Sequence, residues 1–167
     1  MSYTLLSEFI QHLDIKNDMK LGHAPDEVQQ RLEDIGLPLD ILRFLQWSWP
    51  QRDTQIAHIS ILSSPHLIND ELSENLLKQT FLQLGSAPNG DFFVLDFSST
   101  QCRPGFITHE EYWEYENELR KIFIPIARSM ESLFYRIVEG KYIPTDYYAA
   151  EEFNAFLRKE ENSTQHE

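Results

Sequence analysis

Residues 110–118 hold five glutamates, Glu110, Glu111, Glu114, Glu116 and Glu118, interleaved with Tyr112, Trp113 and Tyr115 and uninterrupted by any basic residue. Carboxylates beside aromatic rings do a recognisable kind of work. The charge steers a basic partner inward, and the rings supply apolar anchors once it arrives. On a helix, Glu110, Glu114 and Glu118 recur every four residues and share a face, and like charges at that spacing cost an isolated helix about 0.2–0.5 kcal/mol per pair. A helix that bears this repulsion is suited to meeting a basic surface. The plainer alternative is a solvated face, helped by Glu110 and Glu111 near the positive helix end. Glu110, Trp113, Glu114 and Glu118 are therefore candidate partner contacts, and Asp91, in the turn Pro88-Asn89-Gly90-Asp91, joins them.

Other side chains make weaker cases. The six histidines, His12, His23, His58, His66, His109 and His166, include no close zinc-ligand pair, and one cysteine cannot build a thiolate site. His109-Glu110-Glu111 opens like HExxH, but position 113 is Trp. No GxGxxG, GxxxxGK[ST] or GxSxG occurs. Asp91 and Asp96 could be taken as a carboxylate pair, but at five residues apart on one strand they point to opposite faces. They read as a turn residue and a surface residue. Cys102 lies beside Arg103, which lowers a thiol pKa when the two are close in space, yet no base accompanies it. No catalytic, cofactor-binding or metal-binding residue is assigned, no cofactor is expected, and the chain reads as a non-enzyme.

The bulk properties agree. With 167 residues the chain suits one domain, and 41% hydrophobic residues exclude full disorder. The formal net charge is −13, from 14 Lys+Arg against 27 Asp+Glu. Such acidity repels nucleic-acid phosphates and anionic membranes and attracts a basic protein. A single cysteine fits a reducing, cytoplasmic setting. No apolar run approaches the roughly 20 residues of a membrane helix, and residues 1–13 lack the basic start of a signal peptide.

The elements that must position these groups follow from periodicity and punctuation. Leu5, Leu6, Phe9, Ile10 and Leu13 predict a helix over 3–14. Pro25-Asp26-Glu27 starts a second that stops at Gly36, and Pro38 starts a third that ends before Pro50. Residues 55–62 alternate as a strand. Leu76, Leu77, Phe81 and Leu84 predict a helix over 73–84 capped by Gly85. Phe92–Phe97 is a strand. Arg103-Pro104-Gly105 is a turn before a short strand at 106–108. Thr108 and Glu111 form a capping box for a helix reaching about Phe123. Ser129 caps another, with Met130, Leu133, Phe134, Ile137 and Val138 on one face. A last helix covers 149–159, followed by a polar tail. Helices, then strands, then helices predict an α+β fold with helices packed around an antiparallel sheet.

The order of motifs resembles the SUKH superfamily. Glu27–Phe44 (EVQQRLEDIGLPLDILRF), with Leu32, Ile35, Gly36, Leu37, Pro38 and Phe44, is similar to its N-terminal signature. Gly85, Gly90, Asp91, Phe92, Leu95 and Asp96 are similar to its Gly-Asp strand entry, and Gly105, Phe106, Ile107 and His109 to its next strand and turn. Ile126–Phe134 resembles its closing helix, with Met130 where the family has Phe. The likeness spans about residues 24–140 and is weakest over 47–84. It implies a single SUKH-like domain over residues 1–160 around a curved antiparallel sheet, with residues 161–167 as a tail. It also implies a bacterial immunity protein that binds a polymorphic toxin domain, a nuclease or deaminase. Because the superfamily includes eukaryotic cell-wall regulators, a non-catalytic scaffold or regulatory module acting on a host protein is the second reading.

Overall fold

A computed structural model describes residues 3–68 and 70–164, and side chains within 5–155. The chain opens with helices α1 (Tyr3–Asn17), α2 (Asp26–Asp34) and α3 (Leu39–Trp47). Two short strands, β1 (Leu21–Gly22) and β2 (Trp49–Pro50), pair across them. Strands β3 (Thr54–Ile56) and β4 (Ile59–Ile61) lead to helix α4 (Glu71–Lys78). Then come β5 (Phe81–Ser86), β6 (Phe92–Asp96), β7 (Arg103–Ile107) and β8 (Phe123–Pro125), and finally α5 (Met130–Val138) and α6 (Tyr147–Thr164).

Strands β3 to β8 form one six-stranded sheet in sequential order, every neighbour antiparallel. The α+β class is as the sequence predicts. The sheet is open and not strongly curled, so the curvature implied by the family resemblance is not pronounced. Among the described residues, no helix is long and apolar enough to cross a membrane.

Both faces of the sheet are buried, and the period of two along each strand sorts residues between them. Phe93, Leu95, Phe106 and Leu82 face the main core, which takes side chains from α1, α2, α3, α5 and α6. Phe81, Val94 and Ile107 face a smaller core with Leu76 of α4 and with Tyr112, Leu119 and Ile122. Trp49 is fully buried against Phe44, and its indole N–H donates to Leu62 O at 2.8 Å.

Between residues 55 and 123, four stretches differ from the sequence expectation. Residues 55–62 are a hairpin, because the chain reverses at Ala57, whose φ is +54°. The 73–84 helix is α4 followed by β5. Asp70 caps α4 by accepting from Ser73 N at 2.8 Å, and Thr80, at φ +65°, ends the helical path. Gly85 is a strand residue there, not a helix cap. A Cβ on it would lie 2.0 Å from Ser60 O, so only glycine lets β4 approach. Arg103-Pro104-Gly105 opens β7 and is not a turn. The fourth difference is at residues 108–123, where turns replace the expected helix. The expected polar tail begins inside α6, which continues to Thr164; residues 165–167 lie outside the described residues.

Candidate protein-binding surface

Residues 108–122 join β7 to β8, and they are not a helix. They form a series of turns ending in a short 3-10 turn at Leu119–Ile122. The expected capping box does not form. Thr108 Oγ1 is buried and does not accept from the Glu111 N–H. The next N–H, of His109, is taken by Asp91 Oδ1 at 3.0 Å. Glu110, Glu114 and Glu118 therefore do not share a helical face. What displays them is a lobe whose inner side chains complete the smaller core.

Two carboxylates at the ends of β6 clamp the ends of this lobe. Asp91 precedes the strand and is 0% exposed. Its Oδ1 also accepts from His109 Nδ1 at 2.7 Å, and its Oδ2 accepts from Tyr147 N at 3.0 Å and from the Asn89 amide at 2.9 Å. The β5–β6 turn, the lobe and the start of α6 thus meet on one buried side chain. Burial opposes its charge, but the bonds from Tyr147, Asn89 and His109 outweigh burial and hold the carboxyl below its ordinary pKa. Gly90, at φ +96°, lets the turn fold beside the His109 ring.

Asp96 closes the strand and is 1% exposed. Arg120 forks onto it, Nη1 to Oδ2 at 3.0 Å and Nη2 to Oδ1 at 3.2 Å, while Arg103 Nη2 reaches Oδ2 at 3.1 Å. Ser98 N donates at 3.1 Å. Burial again opposes the charge, and the Arg120, Ser98 and Arg103 bonds win, holding the pKa at about 2. Both aspartates are buried structural anchors, which corrects the reading of Asp91 as a partner contact and of Asp96 as a surface residue. Neither side chain reaches solvent, and the bonds of both are spent inside the fold.

The middle of the lobe is held by α4. Asn75 Nδ2 donates to Tyr112 Oη at 2.7 Å and to Glu116 O at 3.0 Å. Gln79 donates to Glu116 O at 2.7 Å and accepts from Leu119 N at 2.9 Å. Tyr112 packs inward, edge-on to Phe92, with ring centroids 5.5 Å apart. Trp113 points out, 79% exposed, with its ring edge-on to Tyr112.

The other predicted contacts lie on the outside. Glu110, Glu111, Glu114, Glu116 and Glu118 are exposed. Glu110 accepts from Tyr148 Oη at 2.7 Å, and Glu118 pairs with Lys121 at 2.9 Å. Glu114 has no ion pair among the described residues. The structure therefore gathers Glu110, Trp113, Glu114 and Glu118 on one lobe, with Asp91 beneath it. Sequence reading missed Asn75, Gln79 and Arg120, which hold the lobe from about 40 residues away or from its far end. Gln79 and Arg120 carry no local motif that signals such a role.

Cys102 does not fit activation by Arg103. It is buried, and burial pushes its thiol up to about 11, with the negative charges of Asp40 and Asp96 adding to the effect. Among the described residues, no three His, Cys, Asp or Glu side chains converge as a metal-ligand set. The arrangement is suited to presenting charge and an indole ring to another macromolecule. No protein-family model matches the chain, and neither a curated protein nor a solved structure is found similar to it.

Proposed function

We propose that this chain is a SUKH-like, non-catalytic immunity protein of the cytosol that neutralises a basic toxin domain by covering its substrate surface. The observation that carries the reading is the 108–122 lobe, with its five exposed glutamates and exposed Trp113, clamped by Asp91, Asn75 and Gln79 through its backbone and by Asp96 through Arg120. A clamped lobe loses little conformational freedom on binding, so more of the contact energy appears as affinity. Its charge suits a nuclease or deaminase, which needs a basic face to engage nucleic acid. The positions quoted for the family likeness also have definite physical tasks here. Gly36 takes φ +79°, Gly85 admits β4, and Asp91 and Asp96 tie the lobe to the sheet.

The test is co-expression with the product of the gene immediately upstream in a growth assay. Rescue of growth by the wild-type chain, lost in E110K/E114K/E118K while the variant stays folded, is the expected result. Association of the purified pair should slow at least tenfold in that variant and fall steeply with salt. Absence of a toxic neighbour, with capture of a host protein instead, overturns immunity in favour of a scaffold or regulatory module.

A further inference from the structure

A second surface has the opposite character. Between β7, the segment after β8, α5 and α6 lies a groove of ≈ 540 Å³. Arg103, Arg128, Arg136 and Lys141 line it, with Ser132 and Asn154, and among the described residues no Asp or Glu contributes to its wall. A chain with 14 basic and 27 acidic residues thus places four of its cations in one concavity.

These cations are incompletely engaged. Arg128 is exposed and has no partner among the described residues. Lys141 Nζ sits over the Tyr135 ring at 4.8 Å, a contact that leaves its charge unneutralised. Arg136 stacks on Phe153 at 5.3 Å and spends one Nη2 donor on Tyr142 O at 2.6 Å. Its buried Nε–H has no acceptor among the described residues. Arg103 is the exception, since it also pairs with Asp96. Guanidinium groups offer forked donors that match phosphoryl oxygens, and a fixed cluster of like charges is relieved by a ligand of opposite charge. The volume falls within the range of small-molecule sites.

We propose that this groove binds a small phosphorylated ligand bearing at least two phosphoryl charges. The groove shares no residue with the glutamate lobe, so this inference does not rest on the immunity reading. The probe is pyrophosphate, titrated calorimetrically into the full chain at constant ionic strength, with orthophosphate and a triglutamate peptide as comparisons. The expected result is saturable one-site binding of pyrophosphate, tighter than either comparison. In R128Q/K141Q, which alters two exposed side chains, the Kd should rise at least tenfold with the melting temperature of the free protein unchanged. In K16Q/K78Q, which removes two exposed lysines elsewhere, the Kd should stay the same. Absence of saturable binding, equal binding by R128Q/K141Q, or tighter binding of triglutamate overturns the proposal.

Discussion

Asp91 Oδ1 accepts from His109 twice, from the backbone N–H at 3.0 Å and from ring Nδ1 at 2.7 Å. The carboxylate can only accept, so Nδ1 is the donor in the ring contact. The same carboxylate receives Tyr147 N, and so it couples the entry of the acidic lobe to the first turn of α6. Asp91→Asn keeps the shape but halves the acceptor capacity. The expected cost is about 3 kcal/mol, since two or more bonds to a buried charged group are lost. Urea denaturation measures it, and a loss under about 1 kcal/mol would show that Asp91 is not the hub.

The other clamp makes stability depend on pH. The Asp96 pKa is lowered from 3.8 to about 2, so its contribution is complete above the ordinary value and is lost as pH falls through about 2. A shift of that size corresponds to about 2 kcal/mol for a buried carboxylate. Asp96→Asn should therefore be less stable than wild type at pH 6, with the gap narrowing between pH 4 and pH 2. Denaturant midpoints along that series decide the matter; a gap constant with pH would locate the acid sensitivity elsewhere.

Gln79 holds the lobe without belonging to it, through Glu116 O and Leu119 N. Gln79→Ala leaves both groups seeking water. A local loss of about 1–2 kcal/mol is expected. Hydrogen exchange should accelerate at Leu119 and leave the β6–β7 ladder unchanged. Equal acceleration in lobe and sheet would mean that the lobe is no separate unit.

The β3–β4 hairpin contains a correctable strain. Ala57 is exposed and takes φ +54°, a region that costs a residue with a Cβ about 1–2 kcal/mol. Glycine removes that cost but adds freedom to the unfolded chain worth about 0.4–1 kcal/mol. Ala57→Gly should be more stable by about 0.5–1 kcal/mol, seen as a raised melting temperature. A lowered one would show that the turn is not under this strain.

Local signals in the sequence determined much of the architecture. Pro25, Gly36 and Pro38 punctuate α2 and α3, and Ser129 caps α5 by accepting from Ser132 N at 3.1 Å. These devices act within a few residues, so they are visible without the rest of the chain. The concentration of glutamate and aromatic residues at 110–118 was equally plain. Its shape was not. Thr108 and Glu111 have the spacing of a capping box, but Asp91, 18 positions earlier, takes the His109 N–H, and Tyr112 finds Asn75, 37 positions earlier. Leu76, Phe81 and Leu84 have helical spacing, yet both faces of β5 are buried, so its apolar pattern has no single period. The cationic groove draws Arg103, Arg128, Arg136 and Lys141 from four separate places in the chain. Short-range capping and turn chemistry belong to the sequence; which distant group claims a backbone N–H, and which charges end up facing one another, is decided only when the sheet and helices pack.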